Sequence, residues 1–208
     1  MKKILFPLLI LSMLISVIPS YAVNNDGNVG IKVGLNLNTF DFKQNYIPIR
    51  QDGFDNKGFH IGTFYTVEGW TFRFQTGMMF IQRGCETYIM TETYNQTLNY
   101  LQVPFEVSLK LINFNRPGGL RLNVEPHIGF CLGATQESGT ESIPLKIGSN
   151  ASSDNISPFD LGVSLGISID LGPVEPYIAY DLGVCDIDPD KESKVKNRSI
   201  NLGMAFHF

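Results

Sequence analysis

From Val29 onward the chain alternates between apolar and polar residues. Val29, Ile31, Val33, Leu35 and Leu37 are separated by Gly30, Lys32, Gly34, Asn36 and Asn38. A β-strand turns successive side chains to opposite faces, so the two sets define an apolar and a polar face. The same period of two recurs over residues 59–67, 70–80, 101–110, 120–132, 159–169, 174–183 and 200–208. The pattern predicts eight strands, many of about ten residues or more. Soluble strands are usually ~5–6 residues long, whereas a tilted bilayer-crossing strand takes ~9–11. The third run fits its template least well, because Met79 and Ile81 fall on its polar face.

The connections alternate between short and long. Glu68 and Gly69 join the second and third runs, and Leu171, Gly172 and Pro173 join the sixth and seventh. A modest link around residues 113–119, containing Pro117, Gly118 and Gly119, joins the fourth and fifth. The other links, 39–57, 84–97, 134–157 and 186–196, are longer and rich in Asn, Asp, Ser, Thr, Glu and Lys. Short turns at one rim and long polar loops at the other are the outer-membrane barrel pattern. The expected fold is all-β: a single eight-stranded antiparallel transmembrane β-barrel, an up-and-down meander. An even strand number puts both termini at the short-turn, periplasmic rim.

Before the strands comes an address. Lys2 and Lys3 precede an apolar run over residues 4–18, which leads to Ser20, Tyr21 and Ala22. A short basic region, an apolar stretch and small residues at the two positions a peptidase reads form a secretory signal peptide. The run falls short of the ~20 residues a membrane helix needs. No Cys follows closely, which argues against a lipid anchor. The expected division is a signal peptide at 1–22 and one barrel domain at 23–208. No linker marks a second domain.

Side-chain charge decides which face points inward. A soluble barrel of the lipocalin kind hides its apolar face, whereas a membrane barrel exposes it to lipid. Here the polar face carries Lys32, Arg73, Glu106, Lys110, Arg121, Glu125, Asp160, Glu175 and Asp181, along with many glycines. The apolar face is almost free of charge, and its aromatics gather towards strand ends: Phe59, Trp70, Phe72, Phe80, Phe130, Phe159, Phe206 and Phe208. Aromatic girdles mark the two membrane interfaces. This favours a polar interior, with a soluble periplasmic ligand-binding barrel as the alternative. The chain has 208 residues, is 43% hydrophobic and only 17% charged, and carries a net charge of −4. That balance excludes a disordered chain and shows none of the clustered basic residues of a nucleic-acid binder.

Particular segments resemble a known family. Asn201, Gly203, Phe206 and Phe208 occupy the places of the bacterial outer-membrane insertion signal. The run Asn99-Tyr100-Leu101-Gln102-Val103-Pro104-Phe105 resembles the Tyr-Leu-Glu-Ile-Pro-Leu segment of the PorT-like outer-membrane β-barrel family of Bacteroidetes, with Gln102 in place of the common Glu. Phe74-Gln75-Thr76-Gly77-Met78-Met79-Phe80, followed by Arg83-Gly84, resembles that family's third strand. The resemblance covers most of the mature chain. It implies an integral outer-membrane barrel, often loosely labelled a porin, inserted by the barrel-assembly machinery. One branch of the family serves a protein-secretion and gliding apparatus, and nothing in this sequence singles that branch out.

Candidate chemistry is sparse. The nine polar-face charges read as an interior ion network, because side chains nearly fill an eight-stranded barrel and unpaired charges there would be costly. Glu106, Glu125, Glu175 and Asp160 are the obvious acids, and Arg73, Lys110 and Arg121 the obvious bases. An ion path is the competing reading of the same residues. His60, His127 and His207 fall on the inward face but come from different strands without metal-ligand spacing. Ser164 and Ser168 lack a nucleophile elbow. Cys85, Cys131 and Cys185 are an odd set that cannot all pair within one chain. Asn95, Asn150 and Asn197 open glycosylation triplets that read as chance in a bacterial barrel. The scattered glycines lack phosphate-loop spacing. No cofactor, metal or catalytic residue is expected.

The expected role is therefore structural or surface-binding. Outer-membrane lipid surrounds the barrel, and the long loops face an extracellular or envelope protein ligand, since binding usually sits on loops carried by a rigid scaffold. A narrow porin for small solutes is the alternative, and a barrel enzyme acting on lipid or peptide is a weaker one.

Overall fold

The computed structural model describes residues 27–43, 54–69, 71–89, 92–114, 118–139, 141–150, 152–189 and 194–208. The predicted signal peptide, Trp70, Pro117 and residues 44–53 of the first long loop lie outside the described residues.

Nine strands follow in chain order: β1 (Asn28–Lys43), β2 (Asn56–Glu68), β3 (Phe72–Ile89), β4 (Glu92–Asn113), β5 (Gly119–Ser138), β6 (Glu141–Pro144), β7 (Phe159–Asp170), β8 (Val174–Gly183) and β9 (Lys194–His207). Neighbours pair antiparallel, β1 pairs with β9, and β4 pairs with β5, so the long strands close into a ring of eight. The four-residue β6 stands outside the ring and pairs with the upper end of β5. Closure leaves no sheet edge in the hydrocarbon, as a membrane barrel requires.

The barrel is polar inside. Leu35, Phe74, Met78 and Leu165 are exposed on its outer surface, while Arg121 and Asp181 are fully enclosed (both 0% exposed). The soluble ligand-binding barrel is thereby excluded, because its apolar face would have to line the interior. Phe59 packs against Phe80 (ring centroids 5.6 Å apart) and Phe130 against Phe159 (5.4 Å), on the outer wall towards the long-loop rim. Phe72 and Phe208 are exposed at the other rim.

Tight turns close the short rim. Gly69 N donates to Phe72 O at 2.8 Å, and Leu171 N donates to Val174 O at 3.1 Å. In the latter turn Gly172 has φ 87°, a conformation that a Cβ disfavours. Both ends of the barrel meet here, with Phe208 N donating to Val29 O at 2.9 Å.

The expected loop over 84–97 is corrected. β3 runs to Ile89 and β4 starts at Glu92, so this segment is a hairpin in register from Gly84↔Thr97 to Ile89↔Glu92. Its polar composition reads as loop, but Thr and Tyr are good strand formers, and both faces of the sheet leave the hydrocarbon at this height. The alternation simply continues, with Cys85 and Thr87 buried on the same side as Arg73. Likewise β5 extends to Ser138, and the expected loop over 134–157 contains β6. One wall, built from β3 to β6, therefore rises above the rest.

A bulge changes which residues face inward on that wall. Asn99 pairs with Gly133 but Tyr100 with Cys131, so Leu132 has no partner and points outward, 59% exposed. The extra residue flips the parity of β5, which lets both Cys131 and Ala134 meet the interior.

Candidate functional site: the packed lumen

The lumen is filled by ion pairs stacked from the short rim upwards, each held by side chains from strands far apart in sequence. At the short-turn mouth, Arg121 on β5 lies between two acids at strand ends. Its Nη2 donates to Asp170 Oδ2 at 2.9 Å and to Glu68 Oε1. Lys110 stands at the edge of this group, 3.9 Å from Glu68, with its side chain a quarter exposed. Lys110 is thus a mouth residue facing a cavity of about 520 Å³ open to solvent.

Above the mouth, both terminal nitrogens of Arg73 meet both oxygens of Glu175, and Glu106 lies 3.6 Å from the same guanidinium. The fork of a guanidinium matches a carboxylate in this bidentate way. His207 Nε2 is 3.1 Å from Glu175 Oε2, and Ser108 donates to Glu106 at 2.7 Å.

Next comes Lys32 on β1. Its ammonium donates to Glu106 at 2.9 Å and to Glu125 at 3.2 Å, and lies 5.2 Å from the Tyr177 ring. His60 bonds Asn36 through one ring nitrogen and the Tyr177 hydroxyl through the other. Gly34 makes room for that histidine, since a Cβ there would press on the imidazole and on the Leu202 carbonyl. Beside Lys32 and His60 lies a small void of about 30 Å³, lined in part by Asn201, Asn123 and Ser164.

The deepest group centres on Arg83. Its guanidinium donates to Asp181 at 3.0 and 3.1 Å, to Asp160 at 3.3 Å and to Gln102 at 2.9 Å, with His127 Nε2 3.2 Å away. Ser164 donates to Asp181 at 2.7 Å, and Asn197 to Asp160 at 2.8 Å.

Over this group the interior turns apolar. Phe40, Ile81, Leu98, Tyr100 and Val195 from the strands pack with Ile156 and Ile187 from the long connections. The loops thus contribute side chains that cap the barrel from within.

Arg73 meets Glu175 and Glu106 from the expected acids, whereas the other groups draw in further residues. Arg121 and Lys110 are at the mouth, and Glu106 and Glu125 share Lys32. Asp160 meets Arg83, which ending the third run at residue 80 leaves off the inward face. Continued parity from Arg73 through Gln75 and Met79 to Arg83 was the available signal. Glu68 lies in the expected turn after the second run, and Asp170 lies just past the end of the sixth run. Nothing in the period alone marks Asn36 or Tyr177 as partners of His60.

The arrangement binds its own groups. Ser164 is committed to Asp181, and Ser168 is bonded to Asn123. Among the described residues no group of three or more His, Cys, Asp or Glu is placed to hold a metal. Cys131 packs against the apolar cap, and Cys85 is buried within it.

The family model described as "Outer membrane protein beta-barrel domain" matches residues 22–188. No curated protein matches the chain. Among solved structures, the chain is similar to the crystal structure of Ail, the attachment invasion locus protein of Yersinia pestis, in complex with the heparin analogue sucrose octasulfate. That likeness has 14% sequence identity and a TM-score of 0.44, and covers 88% of this chain and 99% of that one.

Proposed function

We propose that this chain, which belongs to the outer membrane protein beta-barrel domain family, acts as a closed scaffold that displays a binding surface outside the cell. The protein is an outer-membrane β-barrel. The observation that carries the closed reading is the lumen itself: ion pairs fill it at successive heights, an apolar cap lies above them, and the void beside the Lys32 group measures only about 30 Å³. A void of that size holds about one water molecule, not a file of ions. An eight-stranded barrel leaves little room beyond its own side chains.

In this reading the nine interior and mouth charges, Lys32, Arg73, Glu106, Lys110, Arg121, Glu125, Asp160, Glu175 and Asp181, hold the wall rather than conduct. The raised wall of β3 to β6 and the long connections beside it present the surface for an extracellular or envelope protein ligand. Residues 1–22 act as a removable export signal. Asn201, Gly203, Phe206 and Phe208 on β9 serve recognition by the assembly machinery. The segments around Asn99–Phe105 and Phe74–Phe80 further support placing the chain among PorT-like barrels.

Planar-bilayer recording of the refolded protein tests the closed state. The expected result is a bilayer that stays silent at moderate voltage. Reproducible open steps of uniform size would establish the narrow porin instead.

A further inference from the structure

We propose that the lumen binds one sodium ion, seated in the small void beside Lys32. The void measures about 30 Å³, room for one water-sized species. Six oxygen-bearing side chains line it: Glu106 from β4, Asn123 and Glu125 from β5, Ser164 from β7, Tyr177 from β8 and Asn201 from β9. Hard cations take carboxylate, amide and hydroxyl oxygens of this kind. The space exists because Gly166 on β7 and its ladder partner Ala179 on β8 also line it, with no side chain and a methyl group.

Bonds made elsewhere leave three of the neutral oxygens as acceptors. Asn36 Nδ2 donates to Gln82 O at 2.9 Å, which turns Asn36 Oδ1 to His60 Nδ1. That nitrogen then carries the hydrogen of a neutral imidazole, and Nε2 accepts from the Tyr177 hydroxyl. The Tyr177 oxygen has spent its hydrogen and keeps its lone pairs. Ser164 spends its own on Asp181 at 2.7 Å. Asn201 is only 7% exposed, and its Oδ1 meets no donor. A buried acceptor left unmatched is costly, and a cation in the void would meet it.

Charge decides between an ion and a water molecule. Counting the imidazoles as neutral, Lys32 and Arg73 face Glu106, Glu125 and Glu175, two cations against three carboxylates. Glu175 holds Arg73 through both of its oxygens, and Lys32 is shared between Glu106 and Glu125. Lys32 lines the void as well, but one ammonium cannot neutralise two carboxylates. One negative charge is left over where an uncompensated charge is costly. A single monovalent cation balances it, and a water molecule does not. A divalent ion would overshoot, and magnesium keeps several waters for which the void has no room. The ion is a fixed bridge between strands and opens no path, so the seat is independent of the closed-scaffold reading.

The test folds the full barrel into phosphatidylcholine vesicles at about pH 8, where ordinary imidazoles are neutral. Sodium, potassium or choline chloride is present at one ionic strength, so general screening is the same in each. Urea unfolding is then read in the three salts. The expected result is a stabilisation specific to sodium that grows with its concentration. At ten times the dissociation constant the unfolding equilibrium constant should fall about tenfold. Asn201→Leu removes the unmatched oxygen at similar volume and should abolish the sodium preference. Should that variant not fold, Ala179→Val fills the void while keeping every oxygen, and should abolish the preference too. Equal stability in the three salts would overturn the ion and leave a water molecule in its place. An infrared carbonyl band of a protonated carboxyl, present in sodium and removed by Glu125→Gln, would overturn it in favour of a proton. A sodium preference that survives in both the Asn201→Leu and Ala179→Val variants would overturn this seat by placing the ion elsewhere. Each readout is taken on unfolding or on the folded wall, so failure here is distinct from failure of the silent bilayer record.

Discussion

The lower and upper halves of the barrel interior solve one packing problem with opposite chemistry. From Arg121 to Arg83 the lumen is packed with charges that are enclosed and paired. Above Arg83 it is packed with Phe40, Ile81, Leu98 and Ile187. The lower half lies behind a wall whose outside must be apolar, so polar groups can only go inward. There each must find a partner, because a lone buried charge costs several kcal/mol. The upper half rises past the hydrocarbon, where the wall's outside can be polar and the inside is free to be apolar. Position relative to the membrane, more than the local sequence, accounts for the switch.

The comparison breaks most readily at Arg83. Arg83→Ala leaves Asp160 and Asp181 facing each other without their shared cation. The expected loss is about 3–5 kcal/mol, read from urea unfolding in lipid vesicles. A loss below about 1 kcal/mol would mean that the ionic half is not structural. In the apolar half, Leu98→Ala removes a fully enclosed side chain. It is expected to cost about 2–4 kcal/mol by transfer and cavity terms, and without changing the silent bilayer record.

The two halves differ most instructively in a paired replacement. Arg73→Met with Glu175→Leu substitutes apolar groups of similar size for the bidentate pair. The double variant is expected to recover most of the loss shown by either single variant, ending within about 1–2 kcal/mol of the parent. A double variant that stays as destabilised as either single variant would show that the pair contributes net stability of its own, and additive losses would show that the two groups are not coupled. The smallest effect is expected at the mouth. Lys110 is partly exposed and its contact with Glu68 is long. Lys110→Gln should shift unfolding by less than about 0.5–1 kcal/mol, and salt should reduce even that.

Much of this was readable in the chain. Alternation identified all eight ring strands and their apolar side, and it placed Lys32, Glu106, Glu125 and Asp181 on one face. It failed where polarity ceased to report on burial. The segment after Phe80 looks like a loop, yet Arg83, Cys85 and Thr87 continue the inward row. The bulge at Leu132 is invisible to a period of two, although it is what brings Ala134 inside.

The order of apolar and polar residues by itself determined that the chain crosses a membrane as strands and which side of each strand meets lipid, since those choices depend on a period of two and on the cost of charge in hydrocarbon. Tertiary structure alone decided who pairs with whom. Arg83 and Asp181 are 98 positions apart in the chain, and Lys32 reaches Glu125 across the lumen from a strand that is not its neighbour in the ring. Such contacts depend on ring closure, strand tilt and side-chain reach, which are properties of the folded barrel and have no counterpart in local sequence.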